Sequence, residues 1–396
     1  MDLGQGTLDA QRPLGVYVHF PFCRARCPYC DFATAVRDPI PHEAYADAIT
    51  RELEARQPWF AGARLASVYF GGGTPGLWRP AALGRVLQAS QGLFPAAEPL
   101  EITVECNPGE IDGAHLGALR AAGVNRLSFG AQAFQDDLLR RIGRTHGAAA
   151  VAPALAQARA AGFENLCADL MFGLPGQDME MWRQSLHTLV DLGPEHITAY
   201  ALTVERGTPF GSLERAGRLE RPGEDAVAAM YSACHEVLTG AGYEHYEISS
   251  YARPGRRSVH NSLYWTGGAY LGVGAGASSF RPLVDGSGWR FTNPRAVDTY
   301  LRSAAQHGGN PRPAQVENRS PADLENEALW LALRTRDGID RQAHARRYGH
   351  DPLDGARAIA AEHCVQAGWL EVSAHRVRLT VKGFLFADEV ASRLWR

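Results

Sequence analysis

No apolar run in the 396 residues approaches the ~20 needed to cross a bilayer, so a membrane-spanning helix is not expected. The first fifteen residues, MDLGQGTLDAQRPLG, lack both a basic n-region and an apolar core, which argues against a secretory signal peptide or an N-terminal anchor. Neither sign of charge is in excess, with 40 Lys+Arg against 43 Asp+Glu, so electrostatics predict no nucleic-acid partner. The short RPGRR at 253–257 reads as a solvated loop. Cysteine is sparse and odd in number: of seven, Cys106, Cys167, Cys234 and Cys364 are scattered singly. A disulfide framework is therefore not expected, and reduced thiols in the cytoplasm are. What is present is 45% hydrophobic residues in a chain long enough for a large core and two or three domains.

The remaining cysteines, Cys23, Cys27 and Cys30, form a C-x3-C-x2-C group in VYVHFPFCRARCPYCDF, directly after a β-branched and aromatic run. Three thiolates are one short of a closed site. Structural zinc is usually four-coordinate, and cubane clusters usually take four thiolates, so a compact trio suits a 4Fe-4S cluster with one iron left for a small molecule. A zinc site of these cysteines with His19 or a remote histidine is the competing reading, although zinc pairs more often have C-x2-C spacing.

Short strand-like runs alternate with longer helical patterns: VYVHF at 16–20, SVYFG at 67–71, EITVEC at 101–106, RLSFG at 126–130, NLCADLMFG at 165–173 and HITAYAL at 196–202, each of the first five followed by a helix. This alternation predicts βαβ units, a parallel sheet and an α/β fold in the form of a partial (β/α)6 TIM-like barrel. Glycines in AAGV, AAGF and DLGP mark helix ends. Unusual residues fall at the C-terminal ends of the strands, where α/β barrels carry their reactive groups. The cysteine loop follows the first strand, Gly71, Gly72, Gly73, Thr74 and Pro75 follow the second, and Glu105 ends the third. Gln132 follows the fourth strand, Asp169 lies in the fifth and Thr203 follows the sixth. A glycine run lets backbone amides and carbonyls approach an amino-acid head group closely. Alone, GGGTP would be an ordinary turn, and Glu105, Arg144 and Asp169 ordinary surface or ion-pair residues.

At these residues the chain resembles the radical S-adenosylmethionine (SAM) superfamily, and within it the group related to oxygen-independent coproporphyrinogen III oxidase, over residues 15–390. The resemblance implies that Cys23, Cys27 and Cys30 hold a 4Fe-4S cluster whose open iron binds the methionine amine and carboxylate of SAM. One-electron reduction in that superfamily cleaves the sulfonium to a 5′-deoxyadenosyl radical. By motif, Tyr17 and Tyr29 resemble cofactor-contacting aromatics, and Gly72, Gly73 and Thr74 the contacts to the methionine part. Glu105, Gln132, Arg144 and Asp169 are similar to the remaining polar SAM contacts, and their types suit ribose hydroxyls, an ammonium and a carboxylate.

The oxidases carry a fourth cysteine two positions after the third, where this chain has Phe32. The CDF pattern, GLPGQ at 173–177 and HNSLYW at 260–265 resemble instead the HemW-like haem chaperone group with its HNxxYW motif, whereas Gly76 stands where serine is usual. That resemblance implies haem as a further cofactor, His260 as its axial ligand, and haem-accepting proteins as partners. The function expected is therefore to bind haem and a SAM-ligated 4Fe-4S cluster and to deliver haem. The alternative is a radical enzyme, either coproporphyrinogen III oxidase or a related methyltransferase. Peripheral membrane association and a homodimer stay open.

The glycines Gly272, Gly274 and Gly276 are spaced GxGxG without a following helix, so close backbone approach explains them better than a dinucleotide fingerprint. Helical patterns from about 315, followed by a hairpin at 371–380 and a last helix, predict a mainly helical, winged-helix-like C-terminal domain that lacks the basic excess of a DNA binder, and the resemblance implies for it a role as a lid or docking domain over the barrel mouth. The expected division is a flexible leader at 1–14, a radical SAM partial barrel at 15–220, a barrel extension and linker with the HNxxYW motif at 221–314, and the C-terminal domain at 315–396.

Overall fold

The computed structural model describes residues 5–395. Its strands in chain order are β1 (Leu14–Phe20), β2 (Phe22–Cys23), β3 (Ala35–Val36), β4 (Leu65–Gly72), β5 (Ala96–Cys106), β6 (Arg126–Gln132), β7 (Leu166–Phe172), β8 (His196–Ala201), β9 (Glu244–Glu247), β10 (Ser250–Ala252), β11 (Ala269–Val273), β12 (Ser278–Pro282), β13 (Gly288–Thr292), β14 (Gln315–Arg319), β15 (Ile339–Asp340), β16 (Leu370–Val372) and β17 (Arg376–Leu379). Twelve of them make one sheet in the order β14-β13-β12-β11-β1-β4-β5-β6-β7-β8-β10-β9. The six strands expected from the alternation are β1, β4, β5, β6, β7 and β8, side by side and parallel. A seventh parallel strand, β11, pairs with β1. The terminal strands β14 and β9 are not neighbours, so the sheet curls without closing.

Burial explains the composition of these strands. All seven residues of β6 are buried, and six of seven in β1, as expected where a parallel sheet is covered by helices outside and filled by side chains inside. The helices His42–Arg56, Pro80–Leu93, Gly113–Ala121, Val151–Ala160 and Met179–Leu192 return the chain across the outer face. The last ends at Gly193 with φ 62°, a left-handed residue that lets the Leu189 and Val190 carbonyls bond its amide. Each fully buried Leu, Ile or Val on the inner faces of these helices contributes about 1.5–3 kcal/mol.

Residues 221–314 extend this sheet on both sides: β9 and β10 form an antiparallel hairpin beside β8, and β11–β13 continue it beyond β1. A Cβ on Gly272 would lie 2.1 Å from the Ser278 carbonyl oxygen, so its glycine serves a close strand approach. Gln315–Arg319, grouped on sequence with the C-terminal domain, is instead the strand β14 on β13. The helical unit begins at Ser320, which forms a capping box with Asp323 at the start of the helix Pro321–Leu333. Helices Arg341–Tyr348 and Ala356–Gln366 follow, and the wing has three strands, β15-β17-β16, rather than two. Within the leader, residues 1–4 lie outside the described residues; Gln5, Gly6 and Thr7 are exposed, and the chain is tied to the barrel extension at the buried Leu8. Leu8 bridges to Leu283, and the Arg281 guanidinium bonds the carbonyls of Gln5 and Gly6 at 2.7 Å.

A buried ion pair fastens the extension to the barrel. Glu52 and Arg56, both fully buried on the first helix, pair at 2.6 Å. Glu52 also accepts from Tyr300 Oη (2.6 Å), Asn293 Nδ2 (2.7 Å) and the Gly274 amide (2.9 Å), while Arg56 donates to Asn293 Oδ1 (2.8 Å) and the Pro311 carbonyl (3.2 Å). Removing one partner leaves an uncompensated buried charge, which costs about 3–5 kcal/mol. Glu52→Gln should therefore shift the urea midpoint by a loss of that size; a change below about 1 kcal/mol would show that Arg56 is adequately held by neutral acceptors alone.

Candidate functional site

The C-terminal ends of the parallel strands surround a cavity of about 320 Å³. Cys23, Cys27 and Cys30 line its mouth, each half-buried. The root of their loop is fixed by an aromatic cluster in which Phe20 stacks on Trp78 at 4.8 Å and meets Phe22 edge-on at 5.2 Å, with Tyr45 against Phe22 at 5.3 Å. Tyr45 Oη donates to the His19 carbonyl at 2.8 Å, and β2 pairs with β3 across the loop. Burial raises the Cys23 thiol to about 11 and also raises that of Cys30, so thiolates here need a positive partner. A single zinc with ~2.3 Å bonds would hold its sulfurs about 3.8 Å apart. Among the described residues these thiols belong to no group of ligand atoms within 4.8 Å, a spread that suits a larger body than one ion. His19 is not available as a fourth ligand: its nitrogens are taken by Tyr17 Oη (3.0 Å) and the Ala33 carbonyl (2.9 Å).

Of the residues singled out on sequence, Tyr29, Gly72, Gly73, Thr74, Glu105, Gln132, Arg144 and Asp169 all line this cavity with the cysteines. Tyr17 does not; it sits behind the wall, 6.2 Å from the Tyr69 ring. Glu105 accepts from Tyr69 Oη at 2.8 Å and from the Gly72 amide at 3.2 Å. Its carboxyl is pushed up to about 7, chiefly by burial and further by the Asp169 charge, against those two hydrogen bonds. Burial raises Asp169 as well, although Ser128 and Cys167 donate to it. Gln132 carries φ 66°, the one non-glycine with positive φ among the described residues, where the β6–β7 register slips. Such a bulge re-aims a side chain at a site, and here Gln132 Oε1 accepts from Tyr200 Oη at 3.1 Å.

The glycine run is explained differently from the expectation. The amides of Gly72, Gly73 and Thr74 are spent on Glu105 and on the carbonyls of Phe20 and Phe22, so they do not face a ligand. A Cβ on Gly72 would lie 2.4 Å from the His19 ring, and one on Gly73 2.7 Å from the Phe22 carbonyl oxygen. Glycine is needed because β4 ends against the root of the cysteine loop. Arg126, Ser128, Cys167, Thr198, Tyr200, Asn107 and Asn261 also line the cavity and were not anticipated. A signal existed: 126, 128, 130 and 132 in β6, 167 and 169 in β7, and 198 and 200 in β8 share the inward face by period two. The Nε atoms of Arg126 and Arg144 are buried without a hydrogen-bond partner. Two buried carboxyls, two underused guanidiniums and a thiol-lined mouth fit a ligand that bears both an ammonium and a carboxylate beside an iron-sulfur cluster.

HNSLYW forms the helix Val259–Trp265, whose start is held by the buried carboxylate of Glu101: Oε1 accepts from the His260 amide (2.9 Å) and Oε2 from the Val259 amide (3.0 Å). His260 does not meet the expectation of an axial haem ligand in this arrangement. It is buried, its Nδ1 lies 2.8 Å from Ser67 Oγ and its Nε2 2.9 Å from Tyr264 Oη, and its ring stacks on Tyr69 at 4.9 Å. Burial lowers its pKa to about 3, so the imidazole is neutral with both nitrogens engaged. From this helix Asn261 reaches the first cavity, while Tyr264 lines a second cleft of about 260 Å³ with Tyr270, Phe280, Trp330 and Tyr348, rimmed by Arg12, Arg290 and Arg347.

Because Glu105 is raised in the folded chain above its ordinary 4.5, its contribution to stability is present below about 4.5 and lost as pH rises to about 7. Glu105→Gln should flatten that part of the profile in the ligand-free chain, measured by urea midpoints across pH 4–8. An unchanged slope would show that Glu105 is ionised throughout.

Residues 17–189 match the family model of the radical SAM superfamily, and residues 320–386 that of the HemN C-terminal domain. The chain is 35% identical over 375 residues to the heme chaperone HemW of Bacillus subtilis, covering 94% of this chain and 97% of the relative. It is 37% identical over 284 residues to heme chaperone HemW of Escherichia coli, covering 72% and 74%. Among solved structures, Escherichia coli coproporphyrinogen III oxidase (HemN) matches with a TM-score of 0.82 at 24% identity, over 97% of this chain and 90% of that one, a likeness of fold. Joined to a thiol-mouthed cavity at the strand ends, this near full-length identity means that the chain belongs to the radical S-adenosylmethionine superfamily, in the family of the heme chaperones HemW.

Proposed function

We propose that this protein binds haem in the second cleft and passes it to haem-accepting proteins, under the control of a 4Fe-4S cluster and SAM held in the first cavity. The observation that carries the reading is the cleft itself: five aromatic rings offer an apolar seat for a porphyrin face, and of the three arginines that line it Arg12 and Arg290 are paired with Asp9 and Glu327 while Arg347 is left to meet a propionate. Arg347 is exposed and, among the described residues, has no carboxylate partner, which leaves its guanidinium for an anionic ligand. Tyr264, from HNSLYW, is the candidate oxygen ligand to iron, and in the free chain neutral His260, 2.9 Å away, is positioned to accept a hydrogen bond from its hydroxyl. The motif histidine then acts through the tyrosine rather than on the iron.

Cys23, Cys27 and Cys30 would hold the cluster. Glu105, Asp169, Gln132, Arg144 and Thr74 would position SAM, with Tyr29, Gly72 and Gly73 in the wall of the same cavity. Within its superfamily the cluster supplies one-electron reduction to SAM. The residues of this chain bind, orient and desolvate. Phe32, 66% exposed at the cavity mouth, occupies the position of the oxidases' fourth cysteine and offers no thiol to a porphyrinogen substrate.

Haem titration should give stoichiometric binding in the wild type, at least tenfold weaker binding in Tyr264→Phe and Arg347→Glu, and no conversion of coproporphyrinogen III under anaerobic conditions with SAM. Wild-type binding by Tyr264→Phe together with loss of an imidazole-type spectrum in His260→Ala would restore direct histidine ligation. Porphyrinogen decarboxylation without haem binding would make the protein an oxidase. Replacement of all three loop cysteines by alanine should abolish iron-sulfur absorbance after reconstitution and impair haem delivery; delivery at the wild-type rate would separate the cluster from the function.

A further inference from the structure

A second group of ligand-type side chains lies in the C-terminal unit. Glu325, His344 and His350 come from the helix Pro321–Leu333, the helix Arg341–Tyr348 and the turn after it, and one ligand atom from each lies within 4.8 Å of the others. Glu325 Oε2 is 3.3 Å from His350 Nε2, and Glu325 Oε1 is 3.6 Å from His344 Nε2. The His344 side chain is 4% exposed, and its Nε2 is buried without a hydrogen-bond partner. His350 Nδ1 lies 3.1 Å from the Asp351 carbonyl. A carbonyl only accepts, so Nδ1 carries the proton and Nε2 turns its lone pair toward a carboxylate oxygen. Two lone pairs facing each other require an electron-poor centre between them, a metal ion or a second proton on the imidazole. An imidazole oriented by a backbone carbonyl is also the usual outer arrangement of a metal ligand.

Glu325 itself is fixed from behind. Arg357 bonds its Oε1, which also faces His344, while donating to Asn326 Oδ1 (2.7 Å) and the Leu394 carbonyl (2.8 Å), so Oε2 is left to face His350. The guanidinium charge weakens cation binding here, and it also removes the need for the ion to order the carboxylate.

We propose that Glu325, His344 and His350 form a binding site for a divalent first-row transition ion, with zinc as the expected occupant. Two imidazoles and one carboxylate suit zinc and its neighbours rather than calcium or magnesium, which take oxygen sets. His350 is 28% exposed, which leaves room for solvent as the fourth ligand. The ion would staple two helices and their connecting turn next to the second cleft, whose wall includes Leu324 and Tyr348 beside these ligands.

The test uses the full chain with its iron-sulfur cluster reconstituted, so that the loop cysteines are occupied, stripped with a mild chelator and dialysed against Zn²⁺. About one zinc per chain is expected, with zinc-edge X-ray absorption showing nitrogen and oxygen neighbours at about 2.0 Å and imidazole scattering. His350→Gln, on the more exposed ligand, should bind zinc at least tenfold more weakly at unchanged iron content and circular dichroism, and His344→Gln should do the same. Absence of bound zinc, a sulfur shell near about 2.3 Å, or equal zinc in His350→Gln would each overturn the site and leave a proton-bridged ion-pair cluster.

Discussion

The buried carboxylate of Glu101 holds the arrangement on which the two cavities depend. It sits near the start of the inner part of β5 and accepts the first amides of the helix Val259–Trp265, with Ser258 Oγ donating at 3.3 Å and Arg126 4.0 Å away. A helix N-terminus carries unsatisfied donors and partial positive charge, so a buried anion there is stabilised and docks the helix in one orientation. That orientation places His260 under Tyr69, Asn261 in the cavity wall and Tyr264 in the aromatic cleft. Ser67, His260 and Tyr264 then form a continuous hydrogen-bonded path across the barrel floor. Tyr69, which donates to Glu105, stacks on His260, so the two cavities share one packed wall.

The first cavity is electrostatically unfinished. Glu105 and Asp169 are both raised by burial, and the guanidiniums of Arg126 and Arg144 have buried nitrogens without partners. Low dielectric makes such groups costly when unpaired and strong when paired, so the energy withheld in the free chain becomes binding energy for a ligand of complementary charge. The second cleft has the opposite character: aromatic rings dominate its lining, and its buried carboxylate, Glu327, is already paired with Arg290 and Arg319. A flat apolar ligand with anionic edges suits the second, and a compact zwitterion suits the first.

Much of the barrel was legible because parallel strands buried on both faces leave continuous apolar runs, and because loops at their C-terminal ends share one side of the sheet. Glu105, Gln132 and Asp169 could be placed at one end of the sheet on that ground, and the resemblance gathered them into one site. The strand β11 was not, since residues 269–273 follow the helix Val259–Trp265 and pair with β1, more than two hundred positions earlier in the chain. Gly72 and Gly73 were legible as necessary glycines but not for their reason, which depends on where His19 and the Phe22 carbonyl fall. Tyr17 is not among the residues lining the cavity, since its hydroxyl is spent on His19 and its ring lies against that of Tyr69, its register partner, which does line it.

By itself the sequence determined the cysteine trio, the six-strand α/β series and the residues at the strand ends, because spacing along the chain and side-chain period are local properties. Tertiary structure alone decided which nitrogen, oxygen or sulfur atoms are free. His260 is spent on Ser67 and Tyr264, the glycine amides are spent on Glu105 and the cysteine loop, and His344 Nε2 is left without a partner. Whether a buried polar atom is satisfied depends on neighbours brought in from distant segments, and no local pattern in the chain encodes them.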